Sequence, residues 1–279
     1  MGDSTHDGLG PVRRPAQRAN GHTEPANAAS APQRAGGDSL FVGIGAICHT
    51  ATRLTGVDGA AVAILAPTKS VRELVHATDA LAQRIDEMQF TLSEGPCLVA
   101  YHENRPQLCG WLEDATFLQQ WPAFTAEVVE CGVAALFAFP VPGEQRPMGV
   151  LELYRRSGGQ LSEDEQHSAR QCASAVRMAL ESNWRDHLMR SGSEQAALDA
   201  AALSGAAPGD PDPFTRTEVY VASGMLAVQL RLPAGDALDR LRAYAYANRR
   251  SITAVAADVV ARRLSSRQIN DDDEPSVES

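Results

Sequence analysis

Arginine and tyrosine recur at helical spacing in one stretch near the end of the chain. In DALDRLRAYAYANRR (residues 236–250), Asp239, Arg242, Tyr246 and Arg249 fall three or four residues apart, on one side of an expected helix. Arg250, Arg262, Arg263 and Arg267 add charge nearby in sequence. A guanidinium is a planar, permanently charged fork that suits phosphate and also stacks on bases. An exposed tyrosine beside it can stack on an unpaired base. The spacing alone admits two readings: a face that grips RNA, or a surface Asp239–Arg242 pair beside a half-buried tyrosine. Ala237, Leu241 and Ala245 lie on the core-facing side of the same helix.

Other residue types offer less. The five cysteines, Cys48, Cys97, Cys109, Cys131 and Cys172, are widely spaced, with no CxxC pair and no four-ligand zinc cluster. Cys97 follows Gly95-Pro96 and is expected at a helix start, where the helix dipole favours a thiolate. His49, His76, His102 and His167 are scattered and form no HExxH. There is no P-loop, no GxGxxG and no prominent carboxylate pair. No catalytic residue, metal ligand or cofactor is assigned, and the chain is expected not to be an enzyme.

The elements that must position these residues are legible in part. The chain has 279 residues, 44% of them hydrophobic, enough for one large or two modest domains. The net charge of −10 hides an asymmetry: residues 38–190 hold 12 basic against 19 acidic residues, whereas residues 214–267 hold 9 arginines against 4 acids. Such asymmetry points to a partner. Residues 1–37 are expected to be a disordered arm, 190–213 a Ser/Gly/Ala-rich linker, and 268–279 an acidic tail. No signal peptide or membrane span is recognised, and a reduced cytoplasmic setting is expected.

In the region 38–189 the spacing predicts a helix around Leu40, Ile44, Ile47 and Ala51, then paired strands at 60–66 and 71–77. A helix or loop follows in ALAQRIDEMQ, then a short strand at Gln107–Cys109 and one helix from about Leu118 to Cys131. Strands AALFAFPV and MGVLELYR come next. Ser162 and Glu165 read as a capping box opening a helix of roughly 25 residues, whose apolar seam suits a helix pair between two subunits or its own sheet. In the region 214–267 three helices are expected, the first with a Thr215–Glu218 capping box and a Phe214–Val219 staple.

Two resemblances join these parts. Residues 215–264 resemble an ANTAR domain, the three-helix RNA-binding module of transcription antiterminators. The resemblance rests on Ala222-Ser223-Gly224-Met225, the run from Asp236 to Ala245, Asn248-Arg249-Arg250 and Val255-Ala256. The family's alanines map to Ala237, Ala245 and Ala256, and Leu238 stands where the family carries an aromatic, leaving Tyr244 or Tyr246 to stack. The resemblance implies an RNA face of Arg242, Ala245, Tyr246, Arg249, Arg250, Ala237, Leu238 and Arg262, and a leader RNA with two small-looped hairpins as partner.

Residues 38–188 resemble a GAF domain of the variety found before ANTAR domains in actinobacteria. Here the resemblance rests on Ser93-Glu94-Gly95-Pro96-Cys97, Trp121-Pro122-Ala123-Phe124, Phe137-Ala138-Phe139-Pro140 and Gly149 to Tyr154. It implies an α+β fold, an antiparallel sheet flanked by helices, with Phe90, Cys97, Trp111 and Phe137 as candidate walls of a small-molecule pocket; Trp121 and Phe124 are further wall candidates. Together the two imply a sensor joined to an antitermination regulator, with a homodimer through the 162–189 helix. The rivals are a protein-docking module without RNA, and a thiol redox sensor or methionine sulfoxide reductase, since free methionine sulfoxide reductases share the GAF fold.

Overall fold

The computed structural model describes residues 40–65, 72–196 and 216–271. The expected arm, most of the linker, the last residues of the tail, and Phe214 and Thr215 of the expected staple and capping box lie outside the described residues. The described chain comprises α1 (Ile44–Thr55), β1 (Gly59–Leu65), β2 (Arg72–Ala77), α2 (Ala80–Leu92), α3 (Pro96–Glu103), β3 (Gln107–Cys109), α4 (Ala115–Gln120), α5 (Pro122–Glu130), β4 (Ala135–Val141), β5 (Gly149–Arg155) and α6 (Glu163–Ser191). After these come α7 (Thr217–Leu230), α8 (Ala234–Ala247), α9 (Ile252–Val260) and α10 (Ser266–Asp271).

The five strands form one antiparallel sheet in the order β2-β1-β5-β4-β3, with β5 in the middle. Side chains alternate between its faces. Ala60, Val62, Phe137, Phe139, Leu151 and Leu153 point to one side and pack with Ile44, Cys48 and Ala51 of α1 and Ala169, Ala173 and Val176 of α6. Ala61, Leu136 and Tyr154 point to the other side, toward Ile85 of α2 and Phe124 of α5. The expected α+β architecture is therefore present in the first part of the chain.

Local chemistry sets the helix ends. Asp79 Oδ1 accepts from the backbone N–H groups of Leu81 and Ala82 (2.8 and 2.9 Å) and starts α2. At α6, Ser162 Oγ accepts from Glu165 N (3.2 Å) while Glu165 Oε2 accepts from Ser162 N (2.7 Å), the predicted capping box. Arg155 then ties Glu165 to the end of α1, donating to Glu165 Oε1 (3.0 Å) and Thr55 O (2.5 Å). The first half of α6 packs on the sheet and α1; farther along, Met178 and Met189 are exposed.

Two boundaries differ from the sequence reading. The single helix expected from Leu118 to Cys131 is two, broken at Trp121, which adopts φ −138° and ψ 67° before Pro122. Proline clashes with an α-helical residue before it, so the chain turns and restarts. The C-terminal region carries a fourth short helix, α10, and Ile269 is buried in the same core as Val219, Leu226, Leu241 and Val255. The expected start of the tail at residue 268 thus falls inside a packed helix.

The Ser162 cap fixes the entry to α6 and, through Arg155, the end of α1. Ser162→Ala is expected to lower the unfolding free energy by about 1 kcal/mol, measured by chemical denaturation.

Candidate functional site

Helix α2 presents different chemistry on adjacent faces. Gln89 points inward: its Nε2 donates to both carboxylate oxygens of Glu152 on β5 (2.7 and 2.8 Å), and its Oε1 accepts from Cys97 N at the start of α3 (2.9 Å). Gly95 makes this packing possible. Its φ of +123° disfavours a side chain, and a Cβ there would lie 2.4 Å from Gln89 Oε1. Glu152 is buried in the central strand, and that burial pushes its carboxyl up to about 7 despite the nearby Arg72 charge.

One turn earlier, Asp86 is almost fully buried. Its Oδ1 accepts from Arg72 Nη2 and its Oδ2 from Arg216 Nη2, so one carboxylate joins β2 to the residue immediately before α7. Burial disfavours the Asp86 charge, but Arg72 and then Arg216 outweigh it and hold the carboxyl below its ordinary range. Arg216 also donates through Nη1 to Arg72 O (3.0 Å) and through its backbone N–H to Glu73 Oε2 (3.2 Å). Tyr220 Oη accepts from Arg72 N (2.7 Å) and donates to Arg72 O (2.9 Å).

Phe90, beside Gln89, faces the C-terminal helices. The Arg216 guanidinium lies 4.0 Å from its ring centroid and that of Arg242 5.0 Å, both within cation–π range. Tyr220 meets the ring edge-on at 6.4 Å. Arg242 also donates to Asp239 Oδ1 (2.9 Å), while its buried Nε has no partner among the described residues; burial pushes its pKa down.

The expected RNA face is thereby divided. Ala237, Leu238 and Ala245 are buried in the core of the C-terminal helices, and Arg242 lies against α2. Tyr246 is half exposed, and Arg249, Arg250 and Arg262 are at the surface. Arg250 Nη2 and Arg263 Nε both donate to Asp258 (2.5 and 2.7 Å), which draws the arginines at the two ends of α9 together.

The expected pocket walls do not meet. Phe90 belongs to the contact with the C-terminal helices, Cys97 is buried on α3, Phe137 faces α1 and α6 across the sheet, and Trp111 is half exposed. Trp121 and Phe124 are buried in the layer between α5 and the sheet. The crevice bounded by Ala61, Ala82, Ile85, Glu152 and Tyr154 is too tight for a water molecule. Cys97 does sit at a helix start, but burial pushes its thiol up and overrides the dipole; Cys109 is likewise pushed up to about 12.

Asp86, Gln89, Arg72, Glu152, Arg216 and Tyr220 escaped the sequence reading. The available signal was Glu152, a single charge within the otherwise apolar GVLELY of a central strand. Such a residue is buried by its position and must find a partner.

The GAF domain family model matches residues 44–181. That part of the chain is a GAF domain, a module typically used for sensing in signalling proteins. Solved structures similar to it include the GAF-B domain of DevS from Mycobacterium smegmatis (15% identity, 54% of this chain and 99% of that one, TM-score 0.40). Another is GAF3 of Slr1393 from Synechocystis sp. PCC6803 (18% identity, 55% and 98%, TM-score 0.42). A third is a type II free methionine-R-sulfoxide reductase from Thermoplasma acidophilum (12% identity, 52% and 96%, TM-score 0.38). No curated protein matches the chain.

The folded chain holds a proton on Glu152 that an unfolded chain, titrating near 4.5, releases. This contribution to stability is full below about pH 4.5 and is lost as pH rises through 7. Glu152→Gln keeps an acceptor for Gln89 without the charge. The difference in unfolding free energy between wild type and variant, measured by denaturation across this window, is expected to move against wild type as pH rises.

Proposed function

We propose that the chain is a signal-responsive RNA-binding regulator of transcription antitermination, in which the GAF domain senses and the C-terminal helices bind a two-hairpin leader RNA. The resemblance of residues 215–264 to ANTAR domains motivates this reading. The observation that carries it is the exposure of Tyr246, Arg249, Arg250, Arg262 and Arg263, with Arg250 and Arg263 both bonded to Asp258. Its arginines would take phosphates, and Tyr246 would stack on a looped-out base. Leu238 is in the core, so the stacking role passes to Tyr246. We assign the chain no catalytic activity; burial pushes the thiols of Cys48, Cys97, Cys109 and Cys172 away from the thiolate, which disfavours thiol chemistry at these four residues. We place it in the cytoplasm with its RNA, as a homodimer through α6, since two hairpins suit two helical units.

The full chain is expected to bind a synthetic two-hairpin RNA in preference to duplex DNA, with affinity falling steeply between two salt concentrations. Tyr246→Ala is expected to weaken binding by about tenfold, since one base–aromatic stack is worth about 1–3 kcal/mol. Arg249→Ala is expected to reduce the salt slope by about one. Fluorescence anisotropy measures both. Wild-type binding by the two variants would place the RNA elsewhere, and binding without salt dependence would favour a protein partner.

A further inference from the structure

We propose that Asp86 and Phe90 of α2 form a latch that holds the C-terminal helices on the GAF domain and withholds Arg242 from RNA. This rests on the RNA-binding reading above. The latch has a defined anatomy. Each Asp86 oxygen accepts from an arginine of a different unit, Oδ1 from Arg72 and Oδ2 from Arg216. Phe90 lies within cation–π range of Arg216 and of Arg242, and Tyr220 closes its edge.

The closed form also carries a cost. Arg72 is 3% exposed, yet its Nε and Nη1 have no hydrogen-bond partner among the described residues, nor does the buried Nε of Arg242. Buried donors left unmatched are unfavourable, and water would satisfy them once the units part. The interface therefore combines strong charge-assisted bonds with unmatched buried donors.

The position of α2 supplies the link to sensing. Asp86 and Phe90 hold the C-terminal helices, whereas Gln89 between them is bonded to Glu152 and to the start of α3. A change in the GAF interior that moves Gln89 moves its helix and thus both holding groups. Arg242, with its planar fork at the edge of α8, can meet a phosphate only when Phe90 no longer lies beside it.

The bridge can be cut from one side. Arg216→Ala leaves Asp86 bonded to Arg72, so the GAF domain keeps its internal pair. Asp86→Asn removes the charge and leaves one acceptor for the two arginines, and serves as the second variant. In full-length Arg216→Ala, the Arg72 amide, which donates to Tyr220 Oη in the closed form, is expected to exchange its hydrogen at least about tenfold faster. The affinity for the two-hairpin RNA is expected to rise by about tenfold, as the closed population no longer competes. Strands β4 and β5 should keep wild-type exchange, which shows that the sheet is folded. Unchanged exchange at Arg72 in both variants would overturn the latch. Faster exchange with unchanged RNA affinity would overturn the withholding of Arg242. If no variant and no wild-type protein binds RNA, the RNA reading fails, and Arg72 exchange alone decides whether the latch exists.

Discussion

Two guanidinium groups share one buried carboxylate, and the arrangement of the two halves of the molecule depends on that contact. Asp86 without its arginines would be an isolated charge away from water, which is among the most unfavourable things a folded chain can contain. With only Arg72 it is a private matter of the GAF domain. With Arg216 as well, the charge balance of the GAF domain's own interior is completed by a residue from the helices that follow it. The two units are thus linked through one carboxylate, which the GAF domain pairs with Arg72 and the C-terminal helices pair with Arg216.

Helix α2 distributes this constraint. Successive faces of its middle turn meet the central strand through Gln89, strand β2 through Asp86, and the C-terminal helices through Phe90. Glu152 is buried on the central strand, so burial raises its pKa while the hydrogen bond from Gln89 works the other way. The crevice beside it is closed.

Local features were legible in the sequence. The Ser162–Glu165 cap, the alternating strands and the helical seams depend on residues within a few positions of one another, and those patterns survive in the fold. The break at Trp121-Pro122 was written in the proline but hidden by a helical spacing that continues through it. Long-range chemistry was not legible. Phe90 and Phe137 look alike as aromatic wall candidates, yet one faces the C-terminal helices and the other the α1–α6 side of the sheet. Arg242 and Arg249 look alike as members of one charged stripe, yet only the first meets Phe90. Helical spacing assigns a residue to a face of its own helix and says nothing of which distant element covers that face.

Asp258 gives the exposed basic edge a further property. By holding Arg250 and Arg263 in one place, it restricts two long side chains before any partner arrives, which lowers the ordering cost of association. It also occupies the spot that an incoming anion would take. A lone chloride or free phosphate must displace a tethered carboxylate and gains little by doing so. A polymer presenting several phosphates at once meets the neighbouring arginines together, and the exchange becomes favourable. On the RNA-binding reading proposed above, that carboxylate sets a threshold between a single anion and a chain of phosphates.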